Sequence, residues 1–168
     1  MCVCVCFVDL EKAVDNLDLW DILNISLENY VPNEIILLIK DIYSNNFSRI
    51  KIQNEPTEKK FAITRGIRQG DSLSPLLFSI VMDKTLSYVK HLQGYRMGSE
   101  EINIVCYADD IALITDTEDD LKRLLYNFHL SFLKFSMKIS IHKTKAMTIS
   151  KEPLRCKLEM TAEWESKL

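Results

Sequence analysis

Three aspartates carry the chemical interest of this sequence. Asp9 closes an apolar, β-rich run that starts at Met1, while Asp109 and Asp110 stand side by side 100 residues later, between the apolar stretches 102–107 and 111–115. Carboxylates gathered at converging strand ends repel one another unless a proton or a divalent cation is shared among them. Mg2+ suits such a cluster, because it takes a few hard carboxylate oxygens and leaves positions for water and phosphate oxygens. Two such ions about 4 Å apart can activate an attacking hydroxyl and stabilise a leaving pyrophosphate in an in-line displacement. Taken singly, Asp9 fits a solvated turn former equally well, and the tetrapeptide Tyr107-Ala108-Asp109-Asp110 alone leaves both possibilities open.

The elements that must position these acids are legible as pattern. Residues 1–9 predict a strand, and the stretch through Leu17, Trp20, Ile22, Leu23 and Leu27 is compatible with a helix. Pro32 and Asn33 open a second predicted helix with Asn33 as its cap, closed by Asn45 and Asn46. Residues 49–53 and 60–64 flank the polar segment 54–59, which contains Pro56, and predict a hairpin. A loop over 65–72 with two glycines leads to Ser74-Pro75, which predicts a cap and first turn for a buried helix carrying Leu76, Leu77, Ile80, Val81 and Leu86. Gly94 and Gly98 bracket its exit. Thr117 with Asp120 resembles a capping box ahead of Leu121, Leu124, Leu125, Phe128 and Phe132 at helical spacing, and 145–150 predicts a last strand. Strands and helices mix without repeat or linker, so the fold class is α+β and residues 1–168 are expected to form one domain.

The chain has 168 residues, 47% apolar and 27% charged, which is enough for a real core. No apolar run of membrane-spanning length and no secretory pattern occurs, so an intracellular protein without membrane attachment is expected. The net charge of -3 has the wrong sign for gripping a polyanion over the whole surface, so any nucleic-acid contact must be local or metal-mediated. Of the five cysteines, Cys2, Cys4 and Cys6 alternate onto one strand face, with Cys106 and Cys156 remote. No second Cys or His pair sits at a zinc-like interval, which favours buried thiols.

Four segments in order resemble the motifs of reverse transcriptases from LINE-type, non-long-terminal-repeat retrotransposons. Phe7-Val-Asp-Leu-Glu-Lys-Ala-Val-Asp15 resembles the first, F-x-D-x-x-K-A-F-D; residues 65–78, with Arg68-Gln69-Gly70, resemble the next; Tyr107 to Asp110 resembles the third; and 137–147, with Lys143-Thr-Lys145, resembles the fourth. Group II intron maturases are the second family of resemblance; they and the retroviral enzymes generally carry Pro-Gln-Gly where this chain has Arg68-Gln69-Gly70.

The resemblance implies a palm-type antiparallel sheet with helices packed on one face, working as the core of an RNA-directed DNA polymerase by two-metal nucleotidyl transfer. It makes Asp9, Asp109 and Asp110 the catalytic and metal-binding acids for two Mg2+ ions, with Mn2+ able to substitute. Val14, Gln69, Gly70 and Lys143 would be nucleotide-binding, and Tyr107 would pack beside the primer terminus. For Lys143 an exposed basic turn, and for Tyr107 a half-buried strand tyrosine, are the plain alternatives. An RNA template, a DNA primer and deoxynucleoside triphosphates are the implied partners.

Departures from the family pattern carry expectations of their own. Val14 stands where the family places an aromatic side chain that excludes the ribose 2'-hydroxyl, so weak discrimination against ribonucleotides is expected. Ser72 replaces a proline, Ser136 a glycine and Ser140 an asparagine. Fingers, thumb and endonuclease segments are not recognisable, so a truncated palm, inactive on its own, is expected. The alternative is a non-catalytic remnant or a co-opted module binding RNA or protein.

Overall fold

A computed structural model of the chain describes residues 2–17, 31–44, 46–53 and 55–150. The predicted helical stretch beyond Leu17, with Trp20, Ile22, Leu23 and Leu27, lies outside the described residues, as do Asn45, Asn54 and everything after Ser150. The backbone divides into two units, one of residues 1–13 and 82–168 and the other of residues 14–81.

The first unit is built on an antiparallel sheet. β1 (Cys2–Val8), β6 (Ile104–Tyr107), β7 (Asp110–Thr115) and β8 (Lys145–Ser150) lie in the order β6-β7-β1-β8. Strand alternation explains its two faces. Cys4, Cys6 and Val8 pair across β7 with Thr115, Leu113 and Ile111, and all six are buried. Cys4 and Cys6 are thus the buried thiols expected, whereas Cys2 is half-buried. On the opposite face Phe7, Val105, Tyr107, Met147 and Ile149 are exposed.

The last helix of this unit, Glu118–Leu133, packs on β7 and β1 through Leu121, Leu124, Leu125, Phe128 and Phe132, all fully buried. Each such side chain contributes about 1.5–3 kcal/mol on burial, so this stripe is the main source of the unit's stability. Its start is the expected box: Thr117 Oγ1 accepts from the Asp120 N–H at 3.1 Å. Its end is a Schellman turn, with the Met137 N–H on the Phe132 carbonyl and the Ser136 N–H on the Leu133 carbonyl, both at 3.1 Å. Ser136 therefore occupies the left-handed position, at φ 58°, which accounts for the glycine of the family pattern. A small hairpin of β4 (Tyr95–Met97) and β5 (Glu100–Ile102), not anticipated from the sequence, follows Gly94.

The second unit holds α1 (Ala13–Asn16, from its second residue), α2 (Asn33–Ser44), the hairpin of β2 (Phe47–Ile52) and β3 (Glu55–Ala62), and the start of α3 (Ser74–Ser87). The Glu118–Leu133 helix is accordingly α4. Four expectations are corrected here. Pro32, not Asn33, takes the cap position of α2, since its carbonyl accepts from the Ile35 and Ile36 N–H groups. β3 runs through Pro56, which pairs with Lys51 beyond a register shift; an irregular edge tolerates a residue without an N–H. Ser74 does not cap α3, because its hydroxyl donates to the Arg68 carbonyl at 2.5 Å, and Asp71 Oδ1 takes the Leu73 N–H instead. Leu76, expected in a buried helix, is exposed, whereas Leu77 and Val81 are buried. Among the described residues no helix is long and apolar enough to cross a membrane.

Candidate active site

In the first unit the sheet brings the ends of two strands together. Val8 of β1 pairs with Ile111 of β7, the last pair of that register, so Asp9 directly follows Val8 and Asp110 directly precedes Ile111 at the same end of the two strands. Asp110 also pairs with Tyr107 across the other edge of β7, which closes a two-residue turn on Ala108 and Asp109. Ala108 adopts φ 54° while Asp109 stays outside the left-handed region, the pattern of a type II' turn, where glycine is the unstrained first residue. An alanine there stores strain beside an acid, a feature that concentrates at functional sites.

The Asp9 backbone is held from the other side. Its carbonyl accepts from the Ser140 N–H at 2.8 Å, and its own N–H reaches Thr144 Oγ1 at 3.4 Å. Leu10 bridges Ile139, and the Glu11 N–H donates to the Lys138 carbonyl at 2.8 Å. The turn so attached carries Lys143, whose Nζ lies 3.4 Å from Asp9 Oδ2. Lys143 is thus exposed, as the plain alternative has it, and also aimed at the first acid. Asp9 is partly exposed as a residue, yet its Oδ2 is shielded from solvent and accepts no hydrogen bond. The ammonium of Lys143 is therefore an ion-pair partner of this oxygen without a hydrogen bond to it.

Tyr107 is 83% exposed, so the half-buried alternative does not hold. Alternation puts it on the open face, with Phe7 and Val105. Beneath the turn, the thiol of Cys106 donates to the Ala108 carbonyl at 3.4 Å. Burial, and then the negative charge of Asp109, push its pKa above the ordinary thiol value.

The remaining predicted residues, Val14, Gln69 and Gly70, belong to the second unit and come together there. The Ile67 N–H donates to the Val14 carbonyl and the Gly66 N–H to the Leu17 carbonyl, both at 3.0 Å, so the loop after β3 is docked along α1. Gly66 makes this possible: at φ 82°, a Cβ would stand 2.8 Å from the Asp15 carbonyl oxygen. Gln69 Nε2 then donates to Asp15 Oδ1 at 3.2 Å, which orients the amide. Gly70, also at φ 82°, has open space where its Cβ would be.

Two residues with a positioning role escaped the sequence argument. Asp15 closes the first motif, and that placement was the available signal. Arg68 locks the loop: its guanidinium donates to the Ile42 carbonyl at 2.6 Å and lies 5.3 Å from the Tyr43 ring centroid.

Comparison with known proteins identifies the family and the fold. Residues 1–164 match the family described as "Reverse transcriptase (RNA-dependent DNA polymerase)". The chain is 33% identical over 121 residues to the "Retrovirus-related Pol polyprotein from type-1 retrotransposable element R2" of Nasonia vitripennis, covering 72% of this chain and 12% of that protein. It is 29% identical over 147 residues to the corresponding polyprotein of element R2DM of Drosophila melanogaster, covering 87% of this chain and 14% of that protein. The chain therefore spans about an eighth of the length of these relatives. Among solved structures, a telomerase from Candida tropicalis aligns with a TM-score of 0.69 at 15% identity, over 90% of this chain and 31% of that one, which supports the α+β palm-type fold. With R2 elements as relatives, the likeness is to the LINE-type side, and the chain belongs to the reverse transcriptase (RNA-dependent DNA polymerase) family.

Proposed function

We propose that this chain is the catalytic palm of an RNA-directed DNA polymerase. In the reaction, the primer 3'-hydroxyl oxygen bonds the α-phosphorus of a deoxynucleoside triphosphate as the bond to pyrophosphate breaks, with an RNA strand as template. The observation that carries the proposal is the register that ends on Val8 and Ile111, which leaves Asp9 and Asp110 at the same end of β1 and β7, beside a strained turn carrying Asp109.

The donors are the hard carboxylate oxygens that divalent cations prefer, and since no three such side chains among the described residues are already gathered as a metal site, the cations would draw them together. Asp9, Asp109 and Asp110 would hold two Mg2+ or Mn2+ ions, which supply activation of the hydroxyl and neutralisation of developing phosphate charge. Lys143 offers an ammonium to the leaving pyrophosphate. Gln69, oriented by Asp15, offers amide donors and acceptor to the nucleotide or template, and Gly70 lets the backbone approach closely. Tyr107 presents its ring to the primer terminus.

Single-nucleotide incorporation at excess protein, on a primed RNA template with Mn2+, tests the proposal. Excess protein offsets a weak hold on the template, so slow incorporation abolished by Asp109→Ala is the expected result, in place of the inactivity expected from the sequence. No incorporation at any protein concentration, or incorporation that survives Asp109→Ala, contradicts it.

A further inference from the structure

The acidic balance of the chain is unevenly spread. Residues 47–68 hold six basic and two acidic side chains, a net of +4 within a chain of net -3. Four of the six cations, and half of the net charge, sit on the β2–β3 hairpin, in which every residue of β2 is exposed and β3 has only Thr57 at intermediate exposure. The pairing there is unusual. Arg49 lies directly opposite Lys60, so two like charges face each other on one side of the ribbon, together with Phe47 and Ala62. Like charges directly opposed across strands are unfavourable. Neither side chain, nor that of Lys51 two positions along, has an ion-pair partner among the described residues. Phe47, at the base of this face, is 56% exposed.

A ribbon that keeps unpaired cations opposed to one another, beside an exposed aromatic ring, complements a strand of phosphates with bases free to stack. Glu55 lies at the tip, beyond the register shift, and Glu58 lies within the shift, two residues from Lys60. Arg49 and Lys51 are about 6.8 Å apart along a strand, comparable with the interval between successive phosphates of an extended chain.

We infer that the β2–β3 hairpin is a docking surface for single-stranded RNA, with Arg49, Lys51 and Lys60 on the phosphates and Phe47 against a base. The choice of RNA rests on the polymerase proposal; the cationic surface itself does not. This is the local contact that the overall charge demands, since the chain outside this hairpin carries a net of -5.

Binding of labelled oligouridylate to the full chain, followed by fluorescence anisotropy over a salt series without divalent ions or nucleotides, tests the inference. Arg49→Ala with Lys60→Ala is expected to weaken binding about tenfold and to reduce the log–log salt slope by about 1.4, the share of two single-strand phosphate contacts. Lys60→Glu converts the repulsive pair into an attractive one, so it is expected to raise the thermal midpoint while weakening RNA binding, opposite signs that misfolding cannot produce. Unchanged affinity and slope in the double variant overturn the inference, as does equal or tighter binding of oligothymidylate. Because no catalysis is measured, a chain that fails to incorporate nucleotides yet loses RNA with these variants contradicts the polymerase proposal alone.

Discussion

Lys143 Nζ stands 3.4 Å from Asp9 Oδ2, an oxygen otherwise shielded and without a hydrogen bond. The ammonium and a divalent cation therefore compete for one carboxylate face. Lys143→Met is predicted to tighten Mn2+ binding about threefold, since it removes a partly solvent-screened like charge. The same substitution should slow nucleotide incorporation, because the leaving pyrophosphate loses its cation. Mn2+ titration and incorporation assays on one preparation check both signs; weaker Mn2+ binding in the variant contradicts the competition.

Ser136 occupies the left-handed position of the α4 Schellman turn at φ 58°. Ser136→Gly is predicted to stabilise the protein by about 0.5–1 kcal/mol, the relief of left-handed strain exceeding the added freedom of the unfolded chain. Urea unfolding of the two proteins measures this directly, and a loss of stability runs against it.

The glycines at 66 and 70 share φ 82° but differ in surroundings. Gly66→Ala drives a Cβ to within 2.8 Å of the Asp15 carbonyl and 2.9 Å of its Cα, so it is predicted to cost more than about 2 kcal/mol and to loosen the loop from α1. Gly70→Ala meets nothing within 4 Å and should cost only the backbone term, about 1–2 kcal/mol. Equal losses in the two variants would show that packing against Asp15 is not what selects glycine at 66.

Cys106 reports on Asp109. Its thiol pKa is raised by burial first and by the Asp109 charge second, so this group's contribution to stability is present below the unfolded thiol pKa and is lost as pH rises through the higher folded value. Asp109→Asn removes the second cause and should lower that pKa, which speeds alkylation at Cys106 near pH 8. Mass spectrometry of the Cys106 peptide after timed iodoacetamide treatment reads the rate; a slower reaction in the variant contradicts the proximity.

Val14 lacks the aromatic bulk of its counterpart in the family pattern. Val14→Phe is predicted to raise preference for deoxyribonucleotides over ribonucleotides at least tenfold, about 1.4 kcal/mol in differential transition-state binding. Competing incorporation of the two nucleotide types measures it, and an unchanged ratio tells against a steric gate at this position.

Elements with a strong period or strong punctuation could be read before the structure was known. Thr117 and Asp120, followed by the stripe from Leu121 to Phe132, fix α4 by local bonds and a single buried face, and both signals lie within one window of sequence. The alternating cysteines of β1 and the turn at Ala108 and Asp109 are equally local. What escaped depends on partners distant in the chain. Ser74 looks like a cap, but the Arg68 carbonyl takes its hydroxyl. The role of Asp15 appears only when Gln69, 54 residues on, is brought to it. The β4–β5 hairpin has three-residue strands with Arg96, Glu100 and Glu101 exposed, so it offers no apolar alternation to detect.

The central claim is that Asp9, Asp109 and Asp110 act together as ligands of divalent cations. Mn2+ binding to the full chain, followed by electron paramagnetic resonance with Asp9→Asn and Asp109→Asn alongside, tests it most directly. The account predicts that each single substitution removes Mn2+ binding while leaving the thermal midpoint near that of the parent. Binding that persists undiminished in either variant would contradict it.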